Sequence, residues 1–221
     1  EIAPYEDSVT DQPLVEKAPN PGKIVDENFI HDAGITEWKL SNGTRVILKP
    51  TDFKEDEIVF QAFSPGGSSL SNDEDYIPSS TASQVVAAGG LGSFNAVNLQ
   101  KKLAGKIAHV SPRISSLEEG LSGSASTRDV ELLFQLIYLV FTEPRADEIV
   151  FNSIQTRMKA SLENRNASPM AAYRDTLQAT LTQNHYRSRP FTTKLVDEMD
   201  LQKSYAFYKE RFAEAGDFTF L

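Results

Sequence analysis

Three histidines, His31, His109 and His185, are the imidazoles of a 221-residue chain that has no cysteine. No two of them stand four residues apart, so no helix can aim a pair of imidazoles at one metal ion. The lack of thiols removes disulfides, thiolate zinc sites and cysteine nucleophiles together. A metal site would have to gather the three scattered histidines from an arm, a strand and a helix end. Serine chemistry fares no better: Gly120-Leu-Ser-Gly-Ser124 lacks the spacing of a nucleophile elbow, and Gly123-Ser-Ala-Ser126 reads as a small-residue strand. Gly89-Gly90-Leu91-Gly92 is rich enough in glycine for a phosphate loop. The dinucleotide fingerprint, however, needs a strand before the glycines, and here a helix precedes them, so a helix C-cap and turn is expected.

The charged and aromatic clusters lead to similarly plain expectations. Glu118-Glu119 and Asp73-Glu74-Asp75 lie near turns, where carboxylates stay solvated and are not tuned for acid–base work. Arg157, Lys159, Arg165 and Arg174 read as a solvated or interdomain face rather than a clamp for a peptide carboxylate. Tyr173, Tyr186, Tyr205 and Tyr208 are expected at core edges with wet hydroxyls. No catalytic, cofactor-binding or metal-binding residue is assigned.

The elements that would position any site belong to an ordinary globular chain, 40% hydrophobic and 24% charged. A net charge of -9 argues against a nucleic-acid partner, which would need surplus Lys and Arg. No apolar run reaches the length of a membrane span; the longest, Leu132 to Phe141, is short and carries Gln135. Residues 1–32 are acidic and carry Pro4, Pro13, Pro19 and Pro21, which predicts a linker, an extended arm or plain disorder. Residues 33–221 read as one domain. The start at Glu1 and the final apolar run Phe218-Thr-Phe-Leu221 suggest a piece cut from a longer polypeptide, truncated in its last strand.

Asn42-Gly43 between Ile35–Leu40 and Arg45–Lys49 predicts a hairpin, because both turn positions favour positive φ. A third strand over Glu57–Phe63 would complete a β-meander. Helices are expected over Pro78–Ala88, with Ser79 or Ser80 helping to cap it, and over Asn95–Leu103. Two strands follow, over Lys106–Ile114 and Gly120–Ser126. Val130, Leu133, Phe134, Ile137 and Phe141 repeat at helical spacing, and further helices are expected over Asp147–Asn164, Pro169–Asn184 and Leu201–Phe212. A last strand begins at Asp217. Strands first, then helices, then a returning strand predict an α+β fold: a mostly antiparallel sheet with helices packed on one face.

This order resembles one domain of the insulinase-like (pitrilysin-type, M16) zinc metallopeptidases. The resemblance is carried by Leu40-Ser-Asn-Gly-Thr-Arg-Val46, Gly66-Gly67-Ser68, the helix opening Asp147-Glu-Ile-Val-Phe-Asn-Ser-Ile-Gln, Phe207-Tyr-Lys-Glu-Arg-Phe212 and Asp217-Phe-Thr-Phe220. It spans Gly34 to Leu221 and implies a mitochondrial-processing-peptidase/LuxS-like metallohydrolase domain. Active members carry His-x-x-Glu-His on the first helix. Here that helix reads Pro78-Ser-Ser-Thr-Ala-Ser-Gln-Val-Val-Ala-Ala88, without His, Glu or Asp, and its hydroxyls and Gln84 are poor zinc ligands. The resemblance therefore implies a non-catalytic domain, inactive alone and without cofactor. Zinc and peptide-bond hydrolysis would reside in another domain of the parent. Its partners would be the other domains of the same polypeptide and a peptide or protein substrate, and a bacterial periplasm or cell envelope would be the setting. A scaffold domain of the same fold, in a parent without protease activity, is the alternative.

Overall fold

The computed structural model describes residues 12–221, the side chain of residue 166 excepted. The part of the Pro-rich stretch before residue 12 lies outside the described residues. Later in that stretch the chain already enters the sheet. Strand β1 (Ile24–Ile30) pairs antiparallel with β2 (Ile35–Leu40), placing Glu27 opposite Trp38. All seven of its residues are exposed, so backbone pairing rather than an apolar face recruits it.

The Asn42-Gly43 hairpin forms, though only Gly43 of the pair adopts the positive φ expected of both. Gly43 sits at φ 97°, donates to Leu40 O at 2.9 Å, and sets Trp38 opposite Val46 of β3 (Arg45–Leu48). The expected meander does not continue from there. Strand β4 (Glu57–Pro65) does not pair with β3, because the two-residue strand β7 (Thr219–Phe220) lies between them, parallel to β3 and antiparallel to β4. Long-range bonds fix it: Thr44 Oγ1 donates to Ala215 O at 2.8 Å, and Arg45 N to Phe218 O at 3.2 Å. With β5 (Ala108–Ile114) and β6 (Glu118–Ser126), the seven-stranded sheet runs β1-β2-β3-β7-β4-β6-β5, mixed but mostly antiparallel.

Alternation along β4 and β6 builds the core. Phe60, Ala62, Leu121 and Ala125 share one face and meet Ala82 and Val86 of α1 (Tyr76–Ala88), Leu133 and Val140 of α3 (Val130–Thr142), and Tyr208 of α7 (Leu201–Arg211). Helices thus cover one face, while Val59 and Phe63 of β4 stay exposed on the other. Ala82, fully buried, lets α1 approach the sheet closely. A second cluster joins Ile77 and Val85 of α1 to Phe151 and Ile154 of α4 (Glu148–Asn166) and Leu195 and Val196 of α6 (Thr193–Asp197). Helix α2 (Ala96–Lys102) is capped by Asn95, and α5 (Pro169–Leu181) follows α4 directly. Helix α5 ends three residues before the expected Asn184, because Gln183 and Asn184 adopt left-handed φ of 53° and 55°.

Candidate functional site

Helix α1 is where the resemblance would place metal chemistry, and the segment before it shows how the helix is set. Gly66 and Gly67 end β4 in a sharp turn. Gly67 has φ 66°, and a Cβ there would lie 2.4 Å from Ser115 O, so only glycine fits. The Gly67 amide donates to Glu119 Oε2 at 2.6 Å. Asp75 is the N-cap residue of α1. Its amide donates to Asn72 Oδ1 at 2.8 Å, and its carboxylate accepts from Asn72 at 2.9 Å and Lys203 at 2.6 Å. The Lys203 hydrogen bond and then that of Asn72 hold the Asp75 carboxyl below its usual range. Arg187 reaches across from the loop after α5 to Asp73 (2.7 Å), Ser71 O (2.7 Å) and Ser68 O (3.3 Å), with its guanidinium 5.0 Å from the Tyr76 ring centroid.

The helix itself does not fit a zinc ion. Three of its hydroxyls are spent locally: Ser79 on Ser71 Oγ at 2.8 Å, Ser80 on Ile77 O at 3.1 Å, and Thr81 on Ile77 O at 2.8 Å. Neither Ser79 nor Ser80 caps the helix, contrary to expectation, since Asp75 lies too far upstream of them. Gln84 faces solvent, and its amide is a weak ligand beside imidazole or carboxylate. The histidines sit on three separate elements. His31 packs edge-on to Phe29, His109 lies on β5 with Nδ1 3.4 Å from Ser124 Oγ, and His185 accepts from Arg187 N at 3.2 Å. Among the described residues, no group of three or more His, Asp and Glu side chains is placed to hold a metal ion.

Two sequence expectations need correction. Glu119 is not a solvated turn residue. It belongs to β6, on the same face as Leu121 and Ala125, and is 3% exposed. Burial raises its pKa, against the opposing pull of the Gly67 hydrogen bond and the nearby Arg211 charge. The signal was the period of two: extending the strand from Gly120 back to Glu118 puts Glu119 inside. Its neighbour Glu118 pairs with Arg113 instead. The tyrosines are the second correction. The Tyr208 hydroxyl is not wet but donates to Val140 O at 3.3 Å, and burial pushes the phenol pKa up; the Tyr205 hydroxyl likewise donates to Pro144 O at 3.0 Å. A cleft of about 340 Å³ opens beside Glu119, lined by Ser64, Pro65, Glu210, Arg211, Glu214 and Asp217. Arg187, which ties the loop after α5 to residues 68–73, gave no sequence signal, because its partners lie more than a hundred residues away.

The remaining clusters are structural. The Gly89–Gly92 turn spends its amides internally, Leu91 N on Phe94 O and Gly92 N on Glu143 O, and Arg145 binds the carbonyls of Gly89 and Gly92. Lys159 pairs with Asp197, and Arg165 with Asp175.

No family model matches the sequence. A curated relative, the zinc protease PQQL-like of Arabidopsis thaliana, is 26% identical over 221 residues, covering 99% of this chain and 20% of that protein. The probable zinc protease PqqL of Escherichia coli is 24% identical over 192 residues, again over 20% of its length. The chain thus spans about a fifth of the curated relatives it matches. Among solved structures, the periplasmic protease PqqL from E. coli superposes with a TM-score of 0.80 at 23% identity, over 99% of this chain and 24% of that one. The ferredoxin protease FusC, solved in complex with Arabidopsis ferredoxin, gives 0.79 at 17% identity, over 99% and 24%. A peptidase M16 inactive domain from Pseudomonas fluorescens gives 0.63 at 15% identity, over 78% and 42%.

Proposed function

We propose that the chain, which is similar to the PqqL-like zinc proteases, is a non-catalytic domain of a multidomain zinc endopeptidase of the M16 type. In this reading it forms part of the wall of the substrate chamber and makes weak contacts to extended peptide. It carries no metal and leaves peptide-bond hydrolysis to a zinc-bearing domain elsewhere in the polypeptide. The observation that carries the reading is α1: the helix has no imidazole or carboxylate, and the hydroxyls of Ser79, Ser80 and Thr81 are committed to neighbouring oxygens. That FusC is a protease solved with a ferredoxin supports a protein substrate for the parent. The description of E. coli PqqL as periplasmic supports the same setting. Among the described residues, no helix is long and apolar enough to cross a membrane.

Elemental analysis of the isolated chain and of its parent, with peptidase assays on the same samples, tests this. The expected result is no zinc and no activity in the isolated chain, and both in the parent. Gln84→Ala in the parent is expected to leave zinc content unchanged. Stoichiometric zinc in the isolated chain, or its loss from the parent on that substitution, overturns the reading. A parent without zinc or activity favours the scaffold alternative.

A further inference from the structure

Helix α5 wears its side chains inside out. The positions turned toward the domain are small or polar: Ala171, Asp175, Ala179 and, at the cap, Thr182. Ala171 is the one residue of the helix that is buried. The outward side carries Met170, Tyr173, Leu177 and Leu181, exposed by 55%, 63%, 42% and 74%. Their spacing of three, four and four makes a continuous stripe, the pattern a surface helix ordinarily buries. Isolated helices shorter than about 12–15 residues are marginal in water, and α5 has 13 residues. Thr176 and Thr180 are weak helix formers whose hydroxyls bond back to Ala172 O and Thr176 O. The ties to the domain are polar: Asp175 to Arg165 at 2.8 Å and Gln178 to Ser188 O at 2.7 Å. They set the orientation of the helix without covering its apolar side.

We propose that this stripe is the seat of another domain of the same polypeptide, one that presents an apolar face to α5. The proposal rests on the reading of the chain as part of a longer protease, in keeping with the 20% of each curated relative that it accounts for. A second copy of the chain is the poorer occupant. A freely associating interface uses about 20–30 residues on each side, whereas the stripe offers four large apolar side chains. A tethered partner needs less surface, because the linker raises its effective concentration to roughly the millimolar range. Arg174, exposed beside the stripe, supplies a polar rim to such a contact.

Hydrogen exchange over residues 170–181 in the full-length parent tests the contact. Leu177→Glu is expected to speed exchange there by at least about tenfold, toward the rate in the isolated chain. The loop around Phe53, 92% exposed, should not change. Equal exchange in parent, variant and isolated chain overturns the proposal. So does a sedimenting dimer of the isolated chain that Leu177→Glu dissolves, which would make a second copy the occupant. Zinc content and peptidase activity of the parent report separately on the functional reading. Zinc with an unprotected α5 sinks the docking alone, and a protected α5 without zinc sinks the protease reading alone.

Discussion

Glu119 is a carboxylate that the chain takes out of water to hold a turn. The Gly67 amide and the Arg211 charge favour its ionised form, yet burial outweighs them and raises its pKa. A carboxyl with a raised folded pKa keeps its proton longer in the folded than in the unfolded state. Its contribution to stability is fully present below the unfolded value and is lost as pH rises through the folded one. Glu119→Gln preserves an acceptor for Gly67 and removes the charge. The variant should therefore gain on the wild type as pH rises from acid toward neutrality, as measured by urea unfolding across a pH series. A difference that stays constant with pH removes this account. Glu119→Ala instead strands the Gly67 N–H and should cost about 1–3 kcal/mol.

Elements were legible in the sequence where a local rule sets them and hidden where distant chain supplies the partner. The β2–β3 hairpin follows from Asn42-Gly43, and α3 from its apolar period. Strand β1 escapes notice because Ile24–Ile30 mixes apolar and acidic residues with neither side buried. Strand β7 is visible as a strand, but its place between β3 and β4 depends on contacts such as Thr44 to Ala215, 171 residues apart. The same separation hid Arg187, whereas the lack of ligands on α1 could be read because a metal motif is local. What anchors β7 is Phe218, 1% exposed, edge-on to Phe141 at 5.0 Å and tilted against Phe212 at 5.6 Å. Phe218→Ala should cost about 3–5 kcal/mol in urea unfolding. It should also speed exchange of the Gln61 amide, which bonds to Leu221 O across the β4–β7 seam. A loss confined to stability, with Gln61 still protected, would show that β7 is held by its backbone rather than by Phe218.

For the whole molecule, the question is whether stability depends on a metal. A structural zinc site contributes folding free energy outright, so a chelator unfolds the domain that relies on it. Here three apolar clusters do that work: one between the sheet and α1, α3 and α7, one between α1, α4 and α6, and one around Leu14, Phe94, Leu136 and Leu139. The histidines lie on a turn beside β1, on β5 and in the loop after α5, so no pair offers a chelating bite. Melting of the isolated chain should accordingly be the same with chelator and with added zinc. The measurement discriminates well. A metal that binds only the folded state adds about 2.7 kcal/mol at a hundredfold excess over its Kd. At about 2–4 °C per kcal/mol for a domain of this size, that is a rise of roughly 5–10 °C. A rise of that order, abolished by His109→Ala or His185→Ala, would require the scattered imidazoles to converge on zinc, and α1 would then no longer be evidence that this domain leaves the chemistry to another.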